Sequence, residues 1–142
     1  MRGHLVLGVV AGLVVAGASQ ARAVDVSSGE WVVTSQGTAE GLGQVPSDRY
    51  KICLGGATLV PMAPADREVC KVEGTEAKGN TVSWKVVCDD PAEGMKGEGK
   101  GRIVYSGDKF AGTMEMSMKI PDEPKIAMSI KLEGKRIGPC KE

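Results

Sequence analysis

The sequence predicts an all-β protein: an antiparallel meander of seven or eight strands, curled into a half-barrel or a small lipocalin-like barrel, with a two-layer β-sandwich as the alternative. Three observations predict it. Apolar residues alternate with polar ones at a period of two over most of the chain beyond residue 30, and helical periodicity is nearly absent. Turn dipeptides such as Gly107-Asp108 and Gly79-Asn80 separate the alternating runs. Four cysteines fall in the same stretch, an even number that suits a small domain held by two disulfides.

The first element is not part of the fold. Residues 1–23 have a basic start at Arg2, an apolar run from Leu5 to Val15 and a small-x-small end at Ala21-Arg22-Ala23. That pattern predicts a cleaved secretory signal peptide, with a single domain over residues 24–142 and a periplasmic or secreted location. No transmembrane segment is expected after cleavage. Export implies an oxidising compartment, where Cys53, Cys70, Cys88 and Cys140 pair. The only histidine, His4, lies in the leader. The remaining chain therefore lacks histidine bases, Ser-His or Cys-His nucleophiles and His-ligated metals, so no enzyme is expected. Lys plus Arg equals Asp plus Glu at 18 each, interspersed, which argues against a nucleic-acid binder.

Strands are expected near 30–36, 48–54, 70–77, 81–88, 97–106, 109–120 and 126–135, with one helical turn at 64–69. A wrong register by one residue would flip every side chain, so apolar matching selects the pairings. In the 70–88 hairpin a three-residue loop, Lys78-Gly79-Asn80, pairs Ala77 with Thr81, Thr75 with Ser83, Gly74 with Trp84, Val72 with Val86 and Cys70 with Cys88. Directly opposed residues have the separation a disulfide needs, so Cys70–Cys88 is expected, leaving Cys53–Cys140. In the next hairpin a Gly107-Asp108 turn pairs Tyr105 with Phe110, Ile103 with Gly112, Gly101 with Met114, Gly99 with Met116 and Gly97 with Met118. After it, a five-residue loop at 121–125 pairs Met118 with Met128, Met116 with Ile130 and Met114 with Leu132, and sets Glu115 between Lys100 and Lys131.

These registers place Met114, Met116, Met118 and Met128 on one face of a central strand pair, over a floor of Gly97, Gly99 and Gly101, with Trp84 on the same face. Methionine fills irregular core gaps well. A floor of glycines beneath flexible thioethers also suits a ligand cavity, and these residues form the candidate ligand face. The expected function is a non-enzymatic binding or envelope-associated module whose concave face takes an apolar small molecule or an envelope protein. The alternatives are a Cu(I)-handling protein using the methionine row and a structural scaffold that binds a partner. No cofactor and no bound metal are expected for the leading reading.

Other motifs carry little. "GMKGEGKG" at 94–101 has the G-x-x-x-x-G-K spacing of a phosphate loop but ends in Gly101 where Ser or Thr is needed, and it enters a strand. Asp89-Asp90 with Glu93 lacks calcium-loop spacing. Asp122 and Glu123 at a hairpin tip, and Asp66 and Glu68 around Arg67, suit solvated turns.

Taken in order, "GEWVVT" at 29–34, "CL" at 53–54, "GNTVSWKVVC" at 79–88, "GDKFAGTM" at 107–114 and "GKRIGPC" at 134–140, with the four cysteines, resemble the bacterial family called domain of unknown function 3617. The resemblance spans nearly all of residues 24–142. It implies a small exported protein of Gram-negative bacteria and no known activity, so no catalytic residue is implied.

Overall fold

A computed structural model describes residues 23–141, which hold eight strands, a buried core and two disulfides; the leader expected at 1–23, with its histidine, lies almost wholly outside the described residues. Eight strands run β1 Gly29–Ala39, β2 Gly43–Gln44, β3 Asp48–Leu54, β4 Cys70–Lys78, β5 Thr81–Asp90, β6 Met95–Ser106, β7 Lys109–Lys119 and β8 Ile126–Gly138. They form one antiparallel sheet in the order β2-β1-β8-β7-β6-β5-β4, with β3 also pairing β1. β3 and β2 therefore share the outer edge of β1, at residues 29–35 and 38–39 respectively. The sheet does not close, since β3 and β4 end it on opposite sides. There is one sheet, so the sandwich alternative fails, and the closed lipocalin-like barrel fails with it; the half-barrel stands.

Curvature follows from what the edges bury. Ile52 and Leu54 of β3 pack in the same core cluster as Val82, Trp84 and Val86 of β5, although four strands separate them. Only a curled sheet brings these together. Glycines permit close approach where it is tightest. A Cβ on Gly101 would lie 2.1 Å from the Trp84 ring, and one on Gly134 would lie 2.0 Å from the Phe110 ring. Trp31, Tyr105 and Phe110 fill one end of the trough, with ring centroids 5.5–5.8 Å apart. Such pairs add about 0.5–1.5 kcal/mol each beyond their burial. Residues just upstream of β1 cover this end: Val26 bridges to Gly107, Ser27 O accepts from Trp31 Nε1 at 3.0 Å, and Ser28 O accepts from Arg136 Nε at 2.9 Å.

The 55–69 connection crosses from the β3 edge to the β4 edge and includes the short 3-10 helix Pro64–Glu68, where one helical turn was expected. Leu59, Val60 and Met62 pack onto the core as a strap. Two phenols hold it: Tyr105 Oη donates to Leu59 O at 2.6 Å and Tyr50 Oη donates to Pro61 O at 2.5 Å.

The disulfides pair as expected, Cys53–Cys140 with Cα atoms 5.6 Å apart and Cys70–Cys88 at 4.0 Å. The β6–β7 register is also as expected from Ser106–Lys109 through Gly97–Met118. Two registers need correction. At the tip of β4–β5 the turn has two residues, so Lys78 faces Thr81 and Glu76, not Thr75, faces Ser83. A bulge between Glu73 and Glu76, with Gly74 at φ +58°, absorbs the extra residue and restores Val72–Val86 and Cys70–Cys88. Gly74 is thus in the bulge, and Trp84 pairs with Gly101 of β6.

In β7–β8 the pairing is two residues out from expectation: Met118 faces Ile126, Met116 faces Met128, Met114 faces Ile130 and Glu115 faces Ser129. A two-residue slip keeps every side chain on its face, so apolar matching cannot detect it. The cause is the connection. Pro121 and Pro124 donate no backbone hydrogen bond, and Asp122 takes φ +63°. Glu115 accepts from Ser129 Oγ at 2.8 Å, and Lys131 bridges Glu133 at 3.3 Å instead.

Candidate functional site

The trough has two ends of different make. Beside the aromatic cluster the side chains are fully enclosed, and beyond them the concave face opens into a cavity of about 220 Å³. Its wall includes Met114, Met116 and Met118 of β7 and Met128 of β8, each half-buried, with Trp84, Val86, Ile130 and Leu132 behind them. These four methionines and Trp84 are the residues expected there. The expected glycine floor does not line the cavity, because side chains cover two of its glycines. A Cβ on Gly99 would sit 2.2 Å from Met116 Sδ, whereas one on Gly97 would meet nothing closer than 3.4 Å. Gly99 is thus the seat of Met116, Gly101 is the seat of Trp84, and Gly97 leaves room.

Two methionines join from elements not counted in the expected face. Met95 opens β6 and Met62 belongs to the strap. Every methionine among the described residues therefore lines this one cavity. Met95 was legible, since it precedes Gly97 by two on the same strand face. Met62 was not, because the 55–69 segment has no period to place it. The Cys70–Cys88 disulfide contributes to the wall as well, whereas Cys53–Cys140 lies away from it.

Polar groups at the cavity are few. Asp66, from the 3-10 helix, is its single charged lining residue. Partial burial, and then the Asp48 carboxylate, hold the Asp66 carboxyl above its usual range. Tyr50 stands beside it. Burial foremost, then the Asp66 and Asp48 carboxylates, push its phenol above the usual value, against the opposing effect of Arg67. Tyr50 therefore stays protonated and keeps donating to Pro61 O. The apolar lining with a single carboxylate among the described residues can enclose a small apolar molecule.

The remaining motifs are dispersed. Gly94–Gly101 runs from a turn into β6 with no helix after it, so it builds no phosphate loop. Asp89 and Asp90 end β5, and Asp90 Oδ1 accepts from Glu93 N at 3.4 Å in a simple turn. Among the described residues no group of three His, Cys, Asp or Glu could hold a metal ion, and no helix is long and apolar enough to cross a membrane.

The fold and site define a disulfide-stapled, open β half-barrel with a thioether-lined trough. Residues 26–140 match the family model described as protein of unknown function (DUF3617), and the chain belongs to that family. The comparisons with curated proteins and with solved structures give no match.

Proposed function

We propose that this protein is an exported, non-enzymatic binding module that takes a small apolar molecule into the methionine-lined cavity. The observation that carries the reading is the convergence of Met62, Met95, Met114, Met116, Met118 and Met128 on one cavity. Unbranched, polarisable side chains reshape around varied apolar guests. The volume equals roughly seven waters' share of the liquid, which suits a guest of small size. The leader-like residues 1–23 and the paired cysteines support export.

The test is titration with N-phenyl-naphthylamine, followed by probe emission and by quenching of Trp84 in the cavity wall. Saturable one-site binding that competes with a molecule co-purified from the periplasm supports the reading. No probe binding, together with a bare polypeptide in native mass spectrometry, sinks it. Intact mass of the periplasmic protein checks export, with Val24 as the expected first residue.

A second reading is Cu(I) handling, favoured by one observation: six thioethers reach a single cavity, two more than the four expected from the sequence. Met116→Leu with Met118→Leu separates the two. Apolar binding is unchanged by that substitution, and Cu(I) affinity falls because two of the six thioethers are gone.

A further inference from the structure

The outer face of the sheet carries a second feature, unrelated to the cavity. Registers across it align Lys51 of β3, Val32 of β1, Lys135 of β8, Lys109 of β7 and Ser106 of β6 in one transverse row. Three lysines stand in that row with no acid, and Lys109 and Lys135 are directly opposed. Like charges in directly opposed positions destabilise a sheet, and nothing in the row offsets them. Other cation rows are compensated: Lys85 and Lys100 lie between Glu73 and Glu115, and Lys96 pairs with Asp89 as well as Lys119. One carboxylate, Glu133, lines the same groove and is engaged with Lys131. Among the described residues Lys51, Lys109 and Lys135 form no ion pair.

The lysines do not stand on a plain polar surface. Lys109 and Lys135 line an open groove of about 890 Å³ on this outer face, together with Arg49, Val104 and Ile137. Val104 is 48% and Ile137 49% exposed, among the largest exposures of any apolar strand residue here. Uncompensated cations around exposed branched aliphatics make a surface that is both anion-seeking and partly apolar. Phosphate headgroups over an acyl boundary match both properties at once, whereas a free phosphate would use only the charge and a neutral apolar partner only the valine and isoleucine.

We propose that this row, Lys51–Lys135–Lys109 with Val104 and Ile137, docks the protein on an anionic lipid surface. Docking places the outer face on the bilayer and leaves the trough on the opposite face of the sheet open to a guest.

The experiment is vesicle flotation with the disulfide-bonded chain lacking residues 1–23. It compares phosphatidylcholine vesicles with and without phosphatidylglycerol, at low and high salt. The expected result is binding that needs phosphatidylglycerol and weakens with salt. The triple variant K51Q/K109Q/K135Q should bind about a hundredfold less tightly, from roughly fivefold for each lysine near an anionic surface. The variant K96Q/K119Q/K125Q removes the same charge from the other end of the sheet and should bind as the parent does. Removal of opposed lysines does not threaten folding, and an unchanged melting temperature checks this. No binding to phosphatidylglycerol vesicles overturns the proposal. So does an equal loss in the two triple variants, which would reduce the effect to net charge. Probe binding in the cavity stays intact in both variants, so this test fails or succeeds independently of the cavity reading.

Discussion

The two ends of the trough are built on the same strands from different materials. At one end Trp31, Val33, Ile103 and Tyr105 are no more than 1% exposed, and Phe110 only 3%. At the other, the methionines of β7 and β8 alternate with polar residues just as regularly but remain half-buried around a cavity. Each end also has its own staple: Cys53–Cys140 follows β8 beside the aromatic end, and Cys70–Cys88 walls the cavity. Strand pattern alone treats the ends as equal. Side-chain stiffness separates them, with rigid rings where packing is complete and flexible thioethers where space is left. The aromatic end is fully packed, and the methionine end leaves a space that the proposed guest would fill.

That division can be broken by mutation. The largest loss is expected from Cys53→Ser with Cys140→Ser. Its bond spans 87 positions of sequence, against 18 for Cys70–Cys88. The chain-entropy account gives about 4.5 kcal/mol for the long staple and about 3 kcal/mol for the short one. Urea midpoints at constant m-value would check the order. A comparable loss, about 3–5 kcal/mol, is expected for Phe110→Ala in the aromatic end. Met116→Leu with Met118→Leu should cost less than about 1.5 kcal/mol for each residue, because the volumes are conserved. If the methionine pair proved as costly as Phe110, the two ends would not differ as argued.

Glycines sharpen the comparison. Gly134→Ala drives a methyl into the Phe110 ring and should cost about 1–3 kcal/mol. Gly97→Ala meets only ordinary contacts near Met118 and should shift the melting temperature little in either direction. A modest effect is expected at the strap. Tyr50→Phe removes one hydrogen bond to Pro61 O, worth about 0.5–1.5 kcal/mol. Burial raises the phenols of both Tyr50 and Tyr105 above their unfolded values. The folded state thus keeps two protons that the unfolded chain loses above about pH 10. Stability should be intact below that pH and fall as pH rises beyond it, and Tyr50→Phe should flatten the fall. Urea unfolding across the alkaline range reads both effects.

Much of this was legible before any coordinates. One-sided burial made the 97–118 register readable to the residue, because a slip by one would have turned Ile103 and Tyr105 to water. The same register logic found Cys70–Cys88, and elimination left Cys53–Cys140. It failed where period two has no leverage. The β7–β8 slip by two leaves faces unchanged, and the bulge at Gly74 hides a one-residue insertion between correctly paired halves. The candidate face was found through its glycines and four of its methionines. The strap that brings Met62, and the carboxylate of Asp66 at the cavity, came from a stretch whose position is set by tertiary contacts with Tyr50 and Tyr105 rather than by local pattern.

The strand order has a consequence in time. β1, near the start of the chain, pairs along ten residues with β8, at its end. A nascent chain can close the β4–β5 and β6–β7 hairpins as they emerge, but the trough cannot be sealed until the final strand has been synthesised and finds the first. Such long-range closure is slow compared with hairpin formation. Until then Trp31 has no sheet on its β8 side, and Cys53 has no partner. A protein arranged in this way remains threadable for the whole of its synthesis, and its last strand acts as the latch.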